Sequence, residues 1–140
     1  MISLRPSRWA VFITDLDPTR GHEQGGKRRV LVVSYEAFHR SASVTVCPIT
    51  AARSMTRYPN EVAIPAGEAG QTKPGVILCH QMRTISMQRV ATMNALPPSP
   101  IGYLTDPDLR EKVRIALARH LGLNIPAGVD GATGKFAFKP

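Results

Sequence analysis

What most constrains this chain is its punctuation: short apolar, β-branched runs are cut apart by glycine and proline, and only one stretch, near the end, repeats with the period of a helix. Residues 9–16, Trp-Ala-Val-Phe-Ile-Thr-Asp-Leu, read as a first strand and residues 30–35 as a second, with a turn or short helix at 37–41. Residues 43–50 read as a third strand, in which Pro48 requires an edge, a bulge or the strand's end, because proline offers no N–H to a ladder. Residues 61–64 make a short fourth strand. After the Gly-rich loop 66–74 come a fifth strand at 75–81 and a sixth extended piece around 83–85. Pro97, Pro98 and Pro100 then break the pattern. Beyond them Leu109, Val113, Ala116, Leu117 and Leu121 recur at helical spacing, behind a cap at Thr105 or Asp106, with Pro107 in the first turn and Gly122 as the stop. Several short strands and one terminal helix predict a mainly β fold, a small bent antiparallel sheet or barrel with the helix packed on it.

A chain of 140 residues is one domain. We place it at residues 1–123 and expect 124–140 to be a flexible C-terminal tail, in which only Phe136 and Phe138 have the character to dock on a partner. Cys47 and Cys79 each sit inside an apolar, strand-like run without the paired spacing of a zinc site, so both are expected as buried thiols and no metal site is expected. No stretch approaches the ~18 apolar residues of a membrane span, and the N-terminus lacks a signal-peptide core, which points to the cytoplasm and away from a membrane partner. The charge is more informative. With 18 Lys and Arg against 10 Asp and Glu, the net charge of +8 favours a polyanionic partner, either nucleic acid or an acidic protein.

Residues 15–33 concentrate the chemistry. Pro18, Gly21, Gly25 and Gly26 mark a loop carrying proton carriers and cations between two apolar runs, so that strands at both ends can hold His22, Glu23, Arg28 and Arg29 near one another. A long solvated hairpin loop is the plainer alternative.

Five motifs add a resemblance. Asp15-Leu16-Asp17-Pro18, Gly21-His22-Glu23-Gln24-Gly25-Gly26, Val30-Leu31-Val32-Val33-Ser34, Pro48-Ile49-Thr50 and Gln81-Met82-Arg83-Thr84-Ile85 are similar, in order and spacing, to the MazF/PemK toxin family over roughly residues 8–121. The resemblance implies an SH3-like small barrel of the PemK/CcdB kind and a homodimer. It also implies a metal- and cofactor-independent endoribonuclease that cuts single-stranded RNA, including mRNA, at short sequences and is neutralised by a cognate MazE-like antitoxin. Arg28 matches the family's catalytic arginine and Thr50 its catalytic threonine or serine. His22, Glu23 and Gln24 match the loop that contacts RNA and assists catalysis, and Gln81 and Arg83 match a motif lining the same groove. The chain departs from the pattern in three places. Arg8-Trp9-Ala10 replaces the usual Arg-Gly-acidic opening, and Arg29 stands where proline is usual. His80 and Leu78 occupy positions at which one branch of the family carries an aspartate, proposed as general base, and an arginine.

Metal-free RNA cleavage needs a base for the 2′-hydroxyl, an acid for the leaving 5′-oxygen, and donors for the charge growing on phosphate; it leaves a 2′,3′-cyclic phosphate and a 5′-hydroxyl. Arg28 suits the third task through its fixed fork, and its high pKa makes it a poor base. Thr50 can donate its hydroxyl to a phosphoryl oxygen or orient the nucleophile. For proton transfer the candidates are His22, Glu23 and His80, with His80 expected to take the base role and a packed strand histidine as the alternative. Glu23 and Gln24 are expected mainly to support the loop. Arg83 could equally make a structural ion pair. Lys27, Arg29 and their cationic neighbours Arg20, Arg53 and Arg57 supply phosphate attraction more than base readout. Two other functions remain open: a CcdB-like toxin that binds DNA gyrase, and a basic module without catalysis.

Overall fold

Side chains of the central strands alternate between two buried clusters, one on each face of the sheet, and this explains why their sequences run apolar without a break. The computed structural model describes residues 7–17, 20–21, 26–41, 43–93, 99–126 and 128. Strands β1 (Ala10–Asp15), β2 (Lys27–Val32), β3 (Ser43–Thr50), β4 (Glu61–Ile64), β5 (Gly75–Leu78), β6 (Arg83–Ser86) and β7 (Gly102–Tyr103) pair antiparallel in the order β4-β5-β3-β2-β1-β7, and β6 pairs with β3. Helix α1 spans Met87–Met93 and α2 spans Pro107–Leu121. On one face Val11, Leu31, Cys47, Ile49 and Ile77 meet Leu109, Val113 and Ala116 of α2. On the other, Phe12, Val30, Val32, Val44 and Val46 meet Met87 and Val90 of α1.

The long strand β3 curls the sheet by serving two neighbours on one flank: Ser43–Val46 pair with β6, while Ile49 and Thr50 pair with β5. Pro48 lies between these stretches. It stands opposite Val30 of β2. Because the amide of Val33 bonds the Thr45 carbonyl and the carbonyl of Val32 bonds the Trp9 amide, even-numbered residues of β3 turn their backbone groups away from β2. The missing N–H of Pro48 therefore falls in the gap between β6 and β5, where no ladder bond is lost.

Helix α2 begins and ends as its sequence requires. The Asp106 side chain accepts from the Asp108 amide at 2.8 Å, Pro107 opens the first turn, and Gly122 closes the helix at φ 67°. Thr105, the other candidate cap, instead donates its amide and hydroxyl to Glu68 at 2.9 and 2.8 Å. A close backbone crossing fixes β7: a Cβ on Gly102 would lie 2.4 Å from the Gly70 nitrogen, and one on Gly70 would lie 2.5 Å from the Ile101 carbonyl oxygen.

The mainly β fold with a terminal helix agrees with the sequence reading, and four details correct it. Strand β2 runs from Lys27 to Val32 rather than over 30–35, because pairing with β1 already begins at Asp15↔Lys27. Strand β5 stops at Leu78, and residues 79–81 form a 3₁₀ turn, so His80 is not a strand residue. Helix α1 and strand β7 have no counterpart in the sequence reading. Both are too short to display a period, and packing on the second cluster and pairing with β1 define them. Pro97 and Pro98 lie outside the described residues, as do residues 127 and 129–140 of the expected tail, with Phe136 and Phe138 among them.

Candidate active site

The β1–β2–β3 register builds the site. Thr14 pairs with Arg28, and Arg29 with Ile49 is the last pair between β2 and β3, so the same register carried one residue further sets Arg28 opposite Thr50. Thr14, Arg28 and Thr50 thus form one row on one face of the sheet, continued by Val76 opposite Thr50 on β5. Arg28 is exposed and Thr50 is nearly buried. The Thr50 hydroxyl oxygen accepts from the Ala52 amide at 3.2 Å, which leaves its own O–H free to donate. Lys27 and Arg29 alternate to the opposite face. There Arg29 donates from Nη1 to Oε1 of the buried Gln71 at 3.2 Å, in a groove of about 350 Å³ lined by Lys27, Arg28, Arg29, Ile49 and Gln71. In sequence these three consecutive cations look like loop residues; in the fold they are strand residues at the start of β2, aimed at the two faces of the sheet.

A second cleft, of about 520 Å³, opens beside Thr50, and His80 and Gln81 line it together with Arg53, Tyr58 and Glu61. Glu61 is its electrostatic centre. Its side chain has no exposed surface. Oε1 accepts from Arg53 Nη1 at 2.9 Å and from the Arg57 amide at 2.7 Å, and Oε2 accepts from Arg53 Nη2. Burial alone would raise the Glu61 carboxyl; the Arg53 hydrogen bonds, the Arg57 amide, the Arg53 charge and the Tyr58 amide outweigh it and hold the group below the ordinary carboxylate range. The same pairing, outweighing the cost of burial, raises Arg53 further. His80 Nδ1 lies 3.9 Å from Glu61 Oε2, and the Tyr58 ring meets the imidazole edge-on at 5.7 Å between centroids.

The corner where β1 leaves the sheet is pinned by arginines. Arg83 donates to the Leu16 carbonyl at 2.9 Å, and Arg89 on α1 donates to the carbonyls of Asp15 and Asp17 at 3.1 and 2.9 Å. Asp17 Oδ1 accepts the Gly26 amide at 2.9 Å, and the Leu16 amide bonds the Gly26 carbonyl at 2.9 Å, so the two ends of loop 16–26 are tied together. Arg83 therefore braces backbone through a carbonyl rather than an acid. His22, Glu23 and Gln24 lie outside the described residues. Cys47 and Cys79 are buried as expected, and the hydrogen bond between the thiols, with burial, pushes Cys47 well above the usual thiol range. Among the described residues no group of three His, Cys, Asp or Glu side chains gathers to hold a metal ion.

The structure thus brings Arg28 to Thr50 across a ladder, and His80 and Gln81 to Thr50 across a cleft. Sequence reasoning missed Glu61 and Tyr58, and took Arg53 only as a diffuse cation. These residues come from a polar stretch and a short strand with no chemical motif, and their only signal is a charge pair eight residues apart.

Comparison with known proteins gives a consistent result. The family model for the PemK-like, MazF-like toxin of type II toxin–antitoxin systems matches residues 7–121. The chain is 37% identical over 117 residues to Endoribonuclease EndoA of Bacillus subtilis (strain 168), covering 83% of this chain and 94% of that protein. Its fold is similar to the crystal structure of MazF (Form-I) from Deinococcus radiodurans, with a TM-score of 0.67 at 28% identity over 84% of this chain and 96% of that one. It is also similar to an endoribonuclease in complex with its cognate antitoxin from a mycobacterial species, with a TM-score of 0.66 at 26% identity over 86% of this chain and 99% of the other.

Proposed function

This chain belongs to the PemK-like, MazF-like toxin family of type II toxin–antitoxin systems, and from that premise we propose that it is an endoribonuclease acting on single-stranded RNA. The observation that carries the reading is the cross-strand placement of Arg28 opposite Thr50. Arg28 presents a fork of cationic donors to the scissile phosphate, so it stabilises the pentavalent phosphorane where charge develops. The free Thr50 O–H donates to a phosphoryl oxygen or orients the attacking 2′-hydroxyl. Across the cleft His80 takes the 2′-hydroxyl proton, and His22 protonates the leaving 5′-oxygen. The products are a 2′,3′-cyclic phosphate and a 5′-hydroxyl, and the chemistry needs no metal.

Lys27 and Arg29 attract the RNA backbone at the start of β2, Gln81 contacts RNA at the cleft wall, and Glu23 and Gln24 assist RNA contact. Arg83 serves this surface by bracing the Leu16 carbonyl at the base of loop 16–26. The protein works as a homodimer in the cytoplasm. A cognate antitoxin of the MazE kind with an acidic segment neutralises it by occupying the cationic surface; the mycobacterial endoribonuclease with its antitoxin supports this partner.

The test is cleavage of single-stranded RNA by purified protein in chelator, beside Arg28→Ala and Thr50→Ala. We expect cyclic-phosphate ends from the wild type and a loss of about 10²-fold or more in each variant. Intact RNA with well-folded wild type would overturn the reading and favour a gyrase-binding or inactive module.

A further inference from the structure

His80 has one buried hydrogen-bonding position unfilled among the described residues, and it faces the carboxylate of Glu61. Glu61 Oε1 accepts from Arg53 and the Arg57 amide and Oε2 accepts from Arg53, and the Tyr58 amide adds a further interaction with the carboxylate. His80 Nδ1 is buried without a hydrogen-bond partner among the described residues, and Oε2 lies 3.9 Å from it. At that distance the two are not yet hydrogen-bonded, but a small rotation of the imidazole against the edge of Tyr58 closes the gap. Only one tautomer gains from the closure. With the proton on Nδ1, the imidazole donates to Glu61 and its buried nitrogen gains a partner. With the proton on Nε2, a buried lone pair on Nδ1 faces a carboxylate that is itself held ionised by Arg53, which leaves Nδ1 unsatisfied and opposed to like charge.

We propose that Glu61 is a positioning residue: its Oε2 holds His80 in the Nδ1–H tautomer and turns the unprotonated Nε2 toward the cleft beside Thr50. About a quarter of the His80 side chain is exposed while Nδ1 is buried, so the accessible edge of the ring is the one that carries Nε2. In this arrangement Arg53 and the Arg57 amide fix the carboxylate, the carboxylate fixes the imidazole, and the imidazole meets the 2′-hydroxyl. The 2′-hydroxyl proton passes to Nε2 as the oxygen attacks phosphorus, and the resulting imidazolium keeps its Nδ1–H on Glu61.

This inference rests on the reading of His80 as the base, and its test separates the two. Nitrogen-15 spectra of wild-type protein with labelled histidine, without RNA and above neutral pH, report which ring nitrogen of His80 carries the proton. We expect Nδ1–H. An Nε2–H tautomer in the wild type overturns the proposal, and this measurement needs no variant to fold. In folded Glu61→Gln we expect a mixture of tautomers, and a fall in kcat of at least about tenfold with KM nearly unchanged, part of the ~10² to 10⁴ that a positioned base supplies. A folded Glu61→Gln with the wild-type tautomer and wild-type kcat also overturns it. His80→Ala that cleaves like the wild type, with the spectra as expected, overturns the base assignment while the Glu61–His80 pairing stands.

Discussion

Trp9 stands where the family usually has glycine, and it keeps a glycine's backbone: its φ is 76°. A left-handed conformation costs an L-residue about 1–2 kcal/mol, and here it is held by the Trp9 amide on the Val32 carbonyl at 2.8 Å and by the Leu104 amide on the Trp9 carbonyl at 2.9 Å. The buried indole, with the guanidinium of Arg8 at 4.6 Å and that of Arg110 at 5.5 Å from its ring centroid, offsets the strain. Both Trp9→Gly and Trp9→Ala should therefore lower the urea midpoint, with Trp9→Ala worse than Trp9→Gly by about 1 kcal/mol, because alanine loses the indole and retains the strain. Glu61 gives a pH signature. Its carboxyl is depressed in the folded state, so the folded protein binds fewer protons there than the unfolded chain. Its stabilisation is complete above the unfolded carboxylate value of about 4.3 and fades as pH falls through the folded value. Urea midpoints should show Glu61→Gln well below wild type near neutral pH, with the gap narrowing in acid. Arg28 and Thr50 were legible as single residues because their types and neighbours carry the motif; Glu61 was not, because a carboxylate in Asn-Glu-Val reads as surface until its burial is known.

Elements were legible in proportion to their local signals. Helix α2 announces itself by Asp106, Pro107 and Gly122 and by an apolar spacing that is evident in the segment alone. Strand β2 begins earlier than its own residues suggest because Lys27, Arg28 and Arg29 resemble a solvated loop, and only cross-strand pairing with β1 and β3 makes them strand. The end of β5 is hidden for a related reason: Val-Ile-Leu-Cys runs apolar past Leu78, but the chain turns there into a 3₁₀ turn whose Cys79 stays in the core. Strand β7 depends on glycine for a different purpose, the close approach of Gly102 to the Gly70 backbone. Gly102→Ala should push the 65–71 loop away from β7 and destabilise the fold by about 2 kcal/mol, measured by chemical denaturation, with the distal helix α2 retained by circular dichroism below the transition.

At the scale of the molecule, the net charge is +8, and Lys27, Arg28 and Arg29 place three of its cations side by side at the start of β2. RNA affinity should fall with salt, and the double variant Lys27→Ala/Arg29→Ala should flatten the slope of log affinity against log salt by about 0.7 for each phosphate that is no longer neutralised. An unchanged slope would place both cations outside the RNA path. Among the described residues no helix is long and apolar enough to cross a membrane.

Local sequence determined the strand runs and the caps of α2, because each is a property of neighbouring residues and their intrinsic preferences. Tertiary structure decided where β2 begins, which of three adjacent cations faces Thr50, how Pro48 escapes the ladder, and that Arg53, Glu61, Tyr58 and His80 surround one cleft. Those outcomes depend on register and on burial. Both arise only when segments far apart in the chain compete for the same hydrogen bonds and the same core.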